Sequence, residues 1–488
     1  MPYIEGADRN QIILFPECIE DYIDDDNLVR IIDVYVELLD VVALGFKFAV
    51  SPRVGRPPFR PQLLIKLYIY GYLYGIRSSR RLEQETKRNL ELMWLLEKLS
   101  PDHKTIANFR KDNKEILKKL FKDFNELCKS WGLFGKEMVA IDGSKFQASN
   151  SKRNNYNKKK LDRHLKHIDE KIEKYLKELD ENDDEEESID RKPTAEEIKE
   201  RIKQLRERKQ IYESYQKELE EEGKSEISTT DPDARLMASN NNGLNVSYNV
   251  QVAVDAKHKM VTGFEVTNNP NDSGQLSHMA LETKEFLGVD QIDALGDKGY
   301  YEAKDLKTCA ENGITPYVSK QTYSNGTGDK EFYPDKFQYD RERNVYICPA
   351  GKELSYAKAR KTKDKGIIGY DYNNYQACKD CPYKERCTKS TKGRSIFRHV
   401  DQDFLDLIDE RTKANKEKYS LRAIIVEHPF GTLKRNWNAY YFLTRGICSV
   451  NAEMALSFLA YNLKRAIKVL GVKEILRRLK EKGEPAPV

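Results

Sequence analysis

The chain has 488 residues, 39% hydrophobic and 33% charged, and 84 basic against 79 acidic residues leave a net charge of +5. That length allows two to four folding units with ample core. No apolar run approaches the roughly 18 residues of a membrane span, and the N-terminus has no signal-peptide hydrophobic region, so a cytoplasmic protein without a membrane partner is expected. Acidic residues concentrate in Asp180–Asp190 and Glu218–Glu222, whereas the part from Leu421 onward is basic, the electrostatic footprint of a DNA binder.

Residues 1–125 read as helical. Pro57-Pro58-Phe59-Arg60-Pro61 precedes a strongly apolar stretch, Leu63 to Ile76, and the basic run Arg77-Ser78-Ser79-Arg80-Arg81 follows it. Asn89 to Leu99 comes next, and then Asp102 or Thr105 as the cap of a further helix. Basic residues between apolar helices fit a helix-turn-helix-like DNA module with Arg80 and Arg81 as phosphate contacts. An all-α domain with a solvated basic rim is the alternative.

At 135–150 the pattern turns to strand, and Met138-Val139-Ala140-Ile141 is closed by Asp142 and followed by Gly143-Ser144. After Asp142 the next strand is delayed by about a hundred residues, an interval that includes the insertion 151–226. In that interval Leu161, Leu165, Ile168, Ile172, Leu176 and Leu179 recur at helical spacing. Ile198, Ile202, Leu205, Tyr212, Tyr215 and Leu219 do the same after an acidic break containing Pro193. The spacing predicts an antiparallel helical-hairpin insertion.

Residues 227–319 resume the strands. Tyr248, Val250, Val252 and Val254 alternate, a turn at Asp255–His258 leads to Met260–Thr267, and Gln275–Leu287 is helical. Ile292–Leu295 is a buried strand run ending at Asp297, followed by a helix over Ala303–Asn312 and a short strand to Val318. This order predicts a mixed α/β fold, with a mixed sheet flanked by helices.

Residues 320–405 are polar, Tyr-rich and poor in helical periodicity, and carry Cys348, Cys378, Cys381 and Cys387. Four thiols with one Cys-x₂-Cys-Pro knuckle make a candidate structural Zn²⁺ site. Reduced core or redox-sensitive thiols are the other reading. Residues 406–488 hold Tyr419, Arg422, Glu427 and Lys434, then a final helix from Val450. Pro429 requires that the helix either begin near Glu427 or bend there.

Asp142, Asp297 and Glu427 each stand in a short motif and together fit one metal site. Mg²⁺ is held by a few carboxylates plus substrate phosphate. Two ions roughly 3.5–4 Å apart clamp the attacking and leaving oxygens of phosphoryl transfer. Asp293 and Asp255 are competing carboxylates, and His428 adjoins Glu427.

At these residues the chain resembles insertion-sequence DDE transposases. The resemblance is carried by Gly55–Arg110, Ile141-Asp142-Gly143-Ser144, Tyr248-Asn249-Val250-Gln251, Asp297-Lys298-Gly299-Tyr300 and the Glu427 block. It is similar to the branch with a Tyr-Arg-Glu-Lys signature, here Tyr419, Arg422, Glu427 and Lys434, the Arg-to-Glu interval being one residue longer than the common form. The resemblance implies a ribonuclease H-like catalytic domain interrupted by the helical hairpin and the Cys-containing insertion. It implies cleavage at transposon-end inverted repeats and strand transfer into target DNA by a homodimer at the bacterial nucleoid. Asp142, Asp297 and Glu427 would then ligate two Mg²⁺ or Mn²⁺ ions, with Arg422, Lys434 and Lys298 on phosphate and Tyr419 on the DNA backbone. Two rival expectations are a ribonuclease H-like DNA nuclease without strand transfer and a domesticated, catalytically silent DNA-binding protein.

Overall fold

A computed structural model describes residues 18–50, 57–182, 194–239, 243–321, 323–362 and 366–483. Gly55, the acidic break at 183–193 with its Pro193, and the first 17 residues lie outside the described residues. Helices α1 (Val29–Glu37), α2 (Val41–Leu44), α3 (Pro61–Leu73), α4 (Ser79–Glu85), α5 (Leu90–Leu95), α6 (His103–Asp112) and α7 (Lys114–Ser130) come before the first strand. Pro61 opens α3, where its missing N–H costs nothing. Twelve of the thirteen residues of α3 are buried. A helix that is apolar all round must be covered on every side, and α1, α5 and the helix Ile447–Leu470 cover this one. The cap of α6 is Asp102, whose carboxylate accepts from the N–H groups of Lys104 (2.8 Å) and Thr105 (3.1 Å).

The strand β1 (Met138–Gln147) leads into β2 (Asn155–Asn157), α8 (Lys158–Asn182), α9 (Ala195–Glu221) and β3 (Glu226–Ser228). The two long helices run antiparallel, since Asp162 meets Gln216 and Asp169 meets Lys209. They share a small core of Leu161, Ile168, Tyr212 and Leu219, and β2 pairs with β3 at their base.

Then follow β4 (Arg235–Ser239), β5 (Gly243–Asp255), β6 (Val261–Thr267), α10 (Leu276–Leu287), β7 (Ile292–Gly296), α11 (Ala303–Glu311) and β8 (Ile314–Val318). The central sheet has the order β4-β5-β1-β7-β8, with β6 also on β5. The β1–β5, β4–β5 and β5–β6 pairs are antiparallel, while β1–β7 and β7–β8 are parallel. The sheet is therefore mixed, as its element order predicts. β4 was not anticipated, because its short run shows no clear alternation.

Residues 320–405, whose sequence signals no strand, form a second sheet of β9 (Gln338–Asp340), β10 (Val345–Ile347), β11 (Glu353–Lys361), β12 (Ile367–Asn373) and β13 (Ser395–His399). Its neighbours are all antiparallel. Most of β11 is exposed on both faces, so hydrophobic alternation is lost although pairing is not. Two short helices, α12 (Tyr375–Lys379) and α13 (Lys384–Cys387), lie between β12 and β13.

The chain ends in α14 (Gln402–Ala414), α15 (Lys416–Gly431), a π turn at Thr432–Asn436, α16 (Ile447–Leu470) and α17 (Val472–Gly483). α16 packs on α7, α3 and β6. One continuous hydrophobic core consequently runs from Ile23 through the central sheet to Leu479. Among the described residues no helix is long and apolar enough to cross a membrane.

Candidate active site

The parallel register of β1 and β7 positions the first two acids. Ala140 is opposite Leu295, and two residues further along each strand stand Asp142 and Asp297. Neighbouring strands lie about 4.8 Å apart, and residues two apart share a face, so the two carboxylates are adjacent on one face. Asp142 does not sit just past a strand end as the sequence suggests. β1 continues to Gln147 because β5 pairs with it along that whole length. Asp297 does follow the last residue of β7, and its Oδ1 accepts from the Gly299 N–H at 2.7 Å.

Burial pushes the Asp142 carboxyl up to about 7. The Arg422 guanidinium, 3.6 Å away, opposes that rise, as does the Gly143 N–H. The charges of Asp297 and Asp272 add to it.

Asp272 is the functional candidate that sequence reading missed. It lies on the loop between β6 and α10, and its Oδ1 accepts from Asn249 (2.7 Å) and Gln251 (2.6 Å), with Lys145 at 3.5 Å. Asn249 and Gln251 are opposite Lys145 and Gly143 in the β1–β5 ladder. Asp272 therefore approaches the face of β1 opposite the Asp142 side chain, across the gap left by Gly143. The available signal was an acid in a turn-rich run, Asn268-Asn269-Pro270-Asn271-Asp272, directly after a strand. Gly143 keeps the gap open: a Cβ there would stand 2.3 Å from Asp272 Oδ1 and 2.4 Å from Gln251 Nε2. Both atoms are pinned by their hydrogen bond, so Gly143→Ala is expected to displace Asp272 and lower any metal-dependent activity by about tenfold or more. Full activity in a folded Gly143→Ala protein would show that this network does not support the site.

Lys434 reaches the same place from the π turn. Its Nζ donates to Ser144 Oγ (2.6 Å) and the Lys145 carbonyl (2.8 Å), over the Phe146 ring. Burial lowers its ammonium to about 8, against the opposing pull of Asp142. Arg422 and Lys434 thus converge on Asp142, and Lys145 stands beside Asp272. Tyr419 is half-buried against the core near the start of α15. Lys298 is exposed on the turn after Asp297, and Arg80 and Arg81 are exposed on α4.

Glu427 is not brought to the two aspartates. It is exposed on α15 and makes no hydrogen bond or ion pair among the described residues. Helical geometry accounts for its exposure. At 3.6 residues per turn, a residue five positions after Arg422 lies about 140° around the helix, whereas four positions would leave it about 40° away. Arg422 faces Asp142, so the position four residues on is the buried Val426, and Glu427 turns outward. The helix neither starts at Glu427 nor stops at Pro429. It runs from Lys416 to Gly431 with Pro429 inside it, and the π turn follows, closed by the Trp437 N–H donating to the Thr432 carbonyl (3.0 Å).

The rival residues have structural partners. Asp293 is opposite Met138 at the far end of β7 and pairs with Lys418. Asp255 is fully buried and accepts from the N–H groups of Gly135, Lys136 and Lys257, which organise the turn. His428 hydrogen-bonds Tyr461 at 2.8 Å, and burial lowers its imidazole to about 4, a neutral packing residue.

Cys348, Cys378, Cys381 and Cys387 line one cavity between the second sheet and its two short helices. Burial pushes the Cys387 thiol up to about 11; Arg394 opposes this and the other three thiols add to it.

Among the described residues no three His, Cys, Asp or Glu side chains stand in metal-ligating geometry. Asp142 and Asp297 nevertheless fit a divalent cation. They are adjacent hard oxygen donors, and the charge of Asp297 adds to the rise at Asp142, a repulsion that a bound cation would neutralise.

Two family models match the chain. Residues 17–112 match one described as "Transposase domain (DUF772)", and residues 347–467 match one described as "Transposase DDE domain". No curated protein and no solved structure matches. The second matched segment contains Glu427 and the four clustered cysteines but neither Asp142 nor Asp297.

Proposed function

Starting from the two transposase matches, which support an insertion-sequence DDE transposase, we propose that the protein cleaves DNA at transposon-end inverted repeats and joins the freed strand to target DNA. The observation that carries this reading is the adjacent pair Asp142 and Asp297, lining an open cleft of about 780 Å³ together with Lys145 and Lys434. The sheet supports a ribonuclease H-like catalytic domain: antiparallel strands continue into two parallel ones, with the acids on neighbouring parallel strands.

Asp142 and Asp297 would hold Mg²⁺ or Mn²⁺, and bound ions supply Lewis-acid polarisation of the phosphate and a more acidic water or 3′-hydroxyl. Glu427 is proposed as a third carboxylate on the strength of its place in the matched DDE segment. Arg422, Lys434 and Lys145 set positive charge where a scissile phosphate would enter, and preorganised charge in a partly buried site costs no reorganisation during reaction. Lys298 and Tyr419 are proposed to contact DNA backbone beside the cleft, and Arg80 and Arg81 to contact it from the N-terminal helices. A homodimer is part of the proposal because two DNA ends must be held together.

The test uses DNA carrying the inverted repeats that flank the gene. End-specific nicking and joining with Mg²⁺ or Mn²⁺ are expected, both lost in Asp142→Ala, Asp297→Ala and Glu427→Gln. Strand transfer retained in folded Asp142→Ala or Asp297→Ala would refute the reading. Cutting without end specificity or joining would assign a nuclease, and binding without cleavage a silent DNA-binding protein. If Glu427→Gln keeps activity while Asp272→Asn loses it, the third carboxylate is Asp272.

A further inference from the structure

We propose that Cys348, Cys378, Cys381 and Cys387 form a tetrahedral Zn²⁺ site that fastens α12 and α13 to the second sheet. All four side chains line a cavity of about 30 Å³ whose wall also includes Phe337, Leu354 and Arg394. That exceeds the roughly 10–15 Å³ needed to hold one water-sized particle, so a single ion has room. The four thiols are free, and they reach the cavity from three separate chain segments.

The surrounding packing gives the ion a structural task. The short helices α12 and α13 bury none of their residues. Among the described residues the core cluster of this sheet is Phe337, Tyr346, Leu354, Tyr372 and Ile396, with Tyr339, Tyr370, Cys348 and Cys387 packed against it. A module this small lacks enough apolar burial to order two single-turn helices, and natural modules of this size use a metal or disulfide staple.

The local backbone is arranged for thiolates. After Cys348, Gly351 turns back with φ +73° and donates to the Cys348 carbonyl (2.8 Å), while the Lys352 N–H points at Cys348 Sγ (3.3 Å). Gly393, at φ +128°, lets the chain entering β13 pass Cys378, since a Cβ there would stand 2.6 Å from Cys378 Cβ. Arg394 Nε is buried without a hydrogen-bond partner, directly beside these thiols. Four thiols that each give up a proton to ligate one Zn²⁺ leave a net charge of −2, for which that unpartnered guanidinium N–H is a ready donor. The thiols converge without yet standing in ligating geometry, and ligation draws the sulfurs to about 2.3 Å from the ion.

The experiment uses the full-length protein, purified without chelator. One equivalent of zinc per chain is expected by elemental analysis, and its release should keep pace with modification of four thiols by an organomercurial. Cobalt substitution should give the intense visible absorption of a tetrahedral thiolate site. Cys348→Ser and Cys381→Ser should lose zinc, while Cys448→Ser should keep it. Because a serine variant could fail to fold, limited proteolysis of the wild-type chain is the second readout: chelation should make residues 320–405 cleavable without exposing the central sheet. Absence of metal, zinc retained after all four thiols are modified, or a disulfide among the four in freshly purified protein would each overturn the site. None of these readouts depends on transposition, so failure here is distinguishable from failure of the proposed reaction.

Discussion

Asp142→Asn is expected to cut the proposed DNA cleavage by about 10³-fold, since Asp142 is proposed to ligate its cation, and at the same time to raise the protein's stability at pH 8. The stability gain follows from linkage. The Asp142 carboxyl rises from 3.8 to about 7, chiefly through burial and against the opposing Arg422. A raised folded-state value means that its contribution to stability is complete below about pH 4 and is lost as pH climbs through about 7. Above that pH the folded protein holds a buried carboxylate at a cost of about 2–4 kcal/mol. Asparagine carries no such charge, so in chelator the variant should melt above the wild type at pH 8 and near it at pH 4. Mg²⁺ should then raise the melting temperature of the wild type and leave the variant unmoved, since only a ligand held by the folded state stabilises it. A variant that melts below the wild type at pH 8 in chelator would refute the buried-charge account. Activity retained at wild-type level would remove Asp142 from the site.

Arg77→Met and Glu453→Ala should each destabilise the fold by about 3–5 kcal/mol, the usual cost of leaving one member of a buried ion pair alone. The pair lies at 3.0 Å with side chains 7% and 1% exposed. Arg77 also donates to the carbonyls of Tyr441 (2.7 Å) and Asn438 (3.3 Å), and Glu453 accepts from the N–H groups of Leu443 and Thr444 and from the Thr444 hydroxyl. The network thus fastens the turn between α3 and α4 to the segment after Lys434, which itself bridges to Gln147 at the end of β1. Glu453→Ala should cost more, because it strands three donors besides the guanidinium. The double variant Arg77→Met/Glu453→Ala should cost less than the two singles added. Urea unfolding measures all three, and additive losses would mean the two side chains act independently.

Much of the fold was legible in local pattern. The alternation at Tyr248–Val254 is β5, the 3–4 spacing from Leu161 to Leu179 is α8, and the apolar run closed by Asp297 is β7. The second sheet was not legible: β11, its longest strand, is exposed on both faces over most of its length, and β9, β10 and β13 are too short to show a clear period of two. At the site, an acid at a strand end was recognisable for Asp297, and an acid closing an apolar run for Asp142. Asp272 was hidden because a loop residue has no periodicity, and its significance arises only from Asn249, Gln251 and Lys145 on two other strands.

By itself the sequence determined the elements and the residue types available for chemistry, because helix and strand periods are set within ten or so neighbouring residues. Tertiary structure decided which of those residues meet. Register between β1 and β7, whose partners are 155 residues apart in sequence, set Asp142 beside Asp297. The seating of α15 turned Arg422 toward Asp142 and left Glu427 exposed, because one extra residue between them rotates the second by a further 100° or so. Chain reversals around α12 and α13 brought four scattered cysteines to one cavity. Helix and strand periods are local, whereas the meeting of side chains depends on how distant segments pack against one shared core.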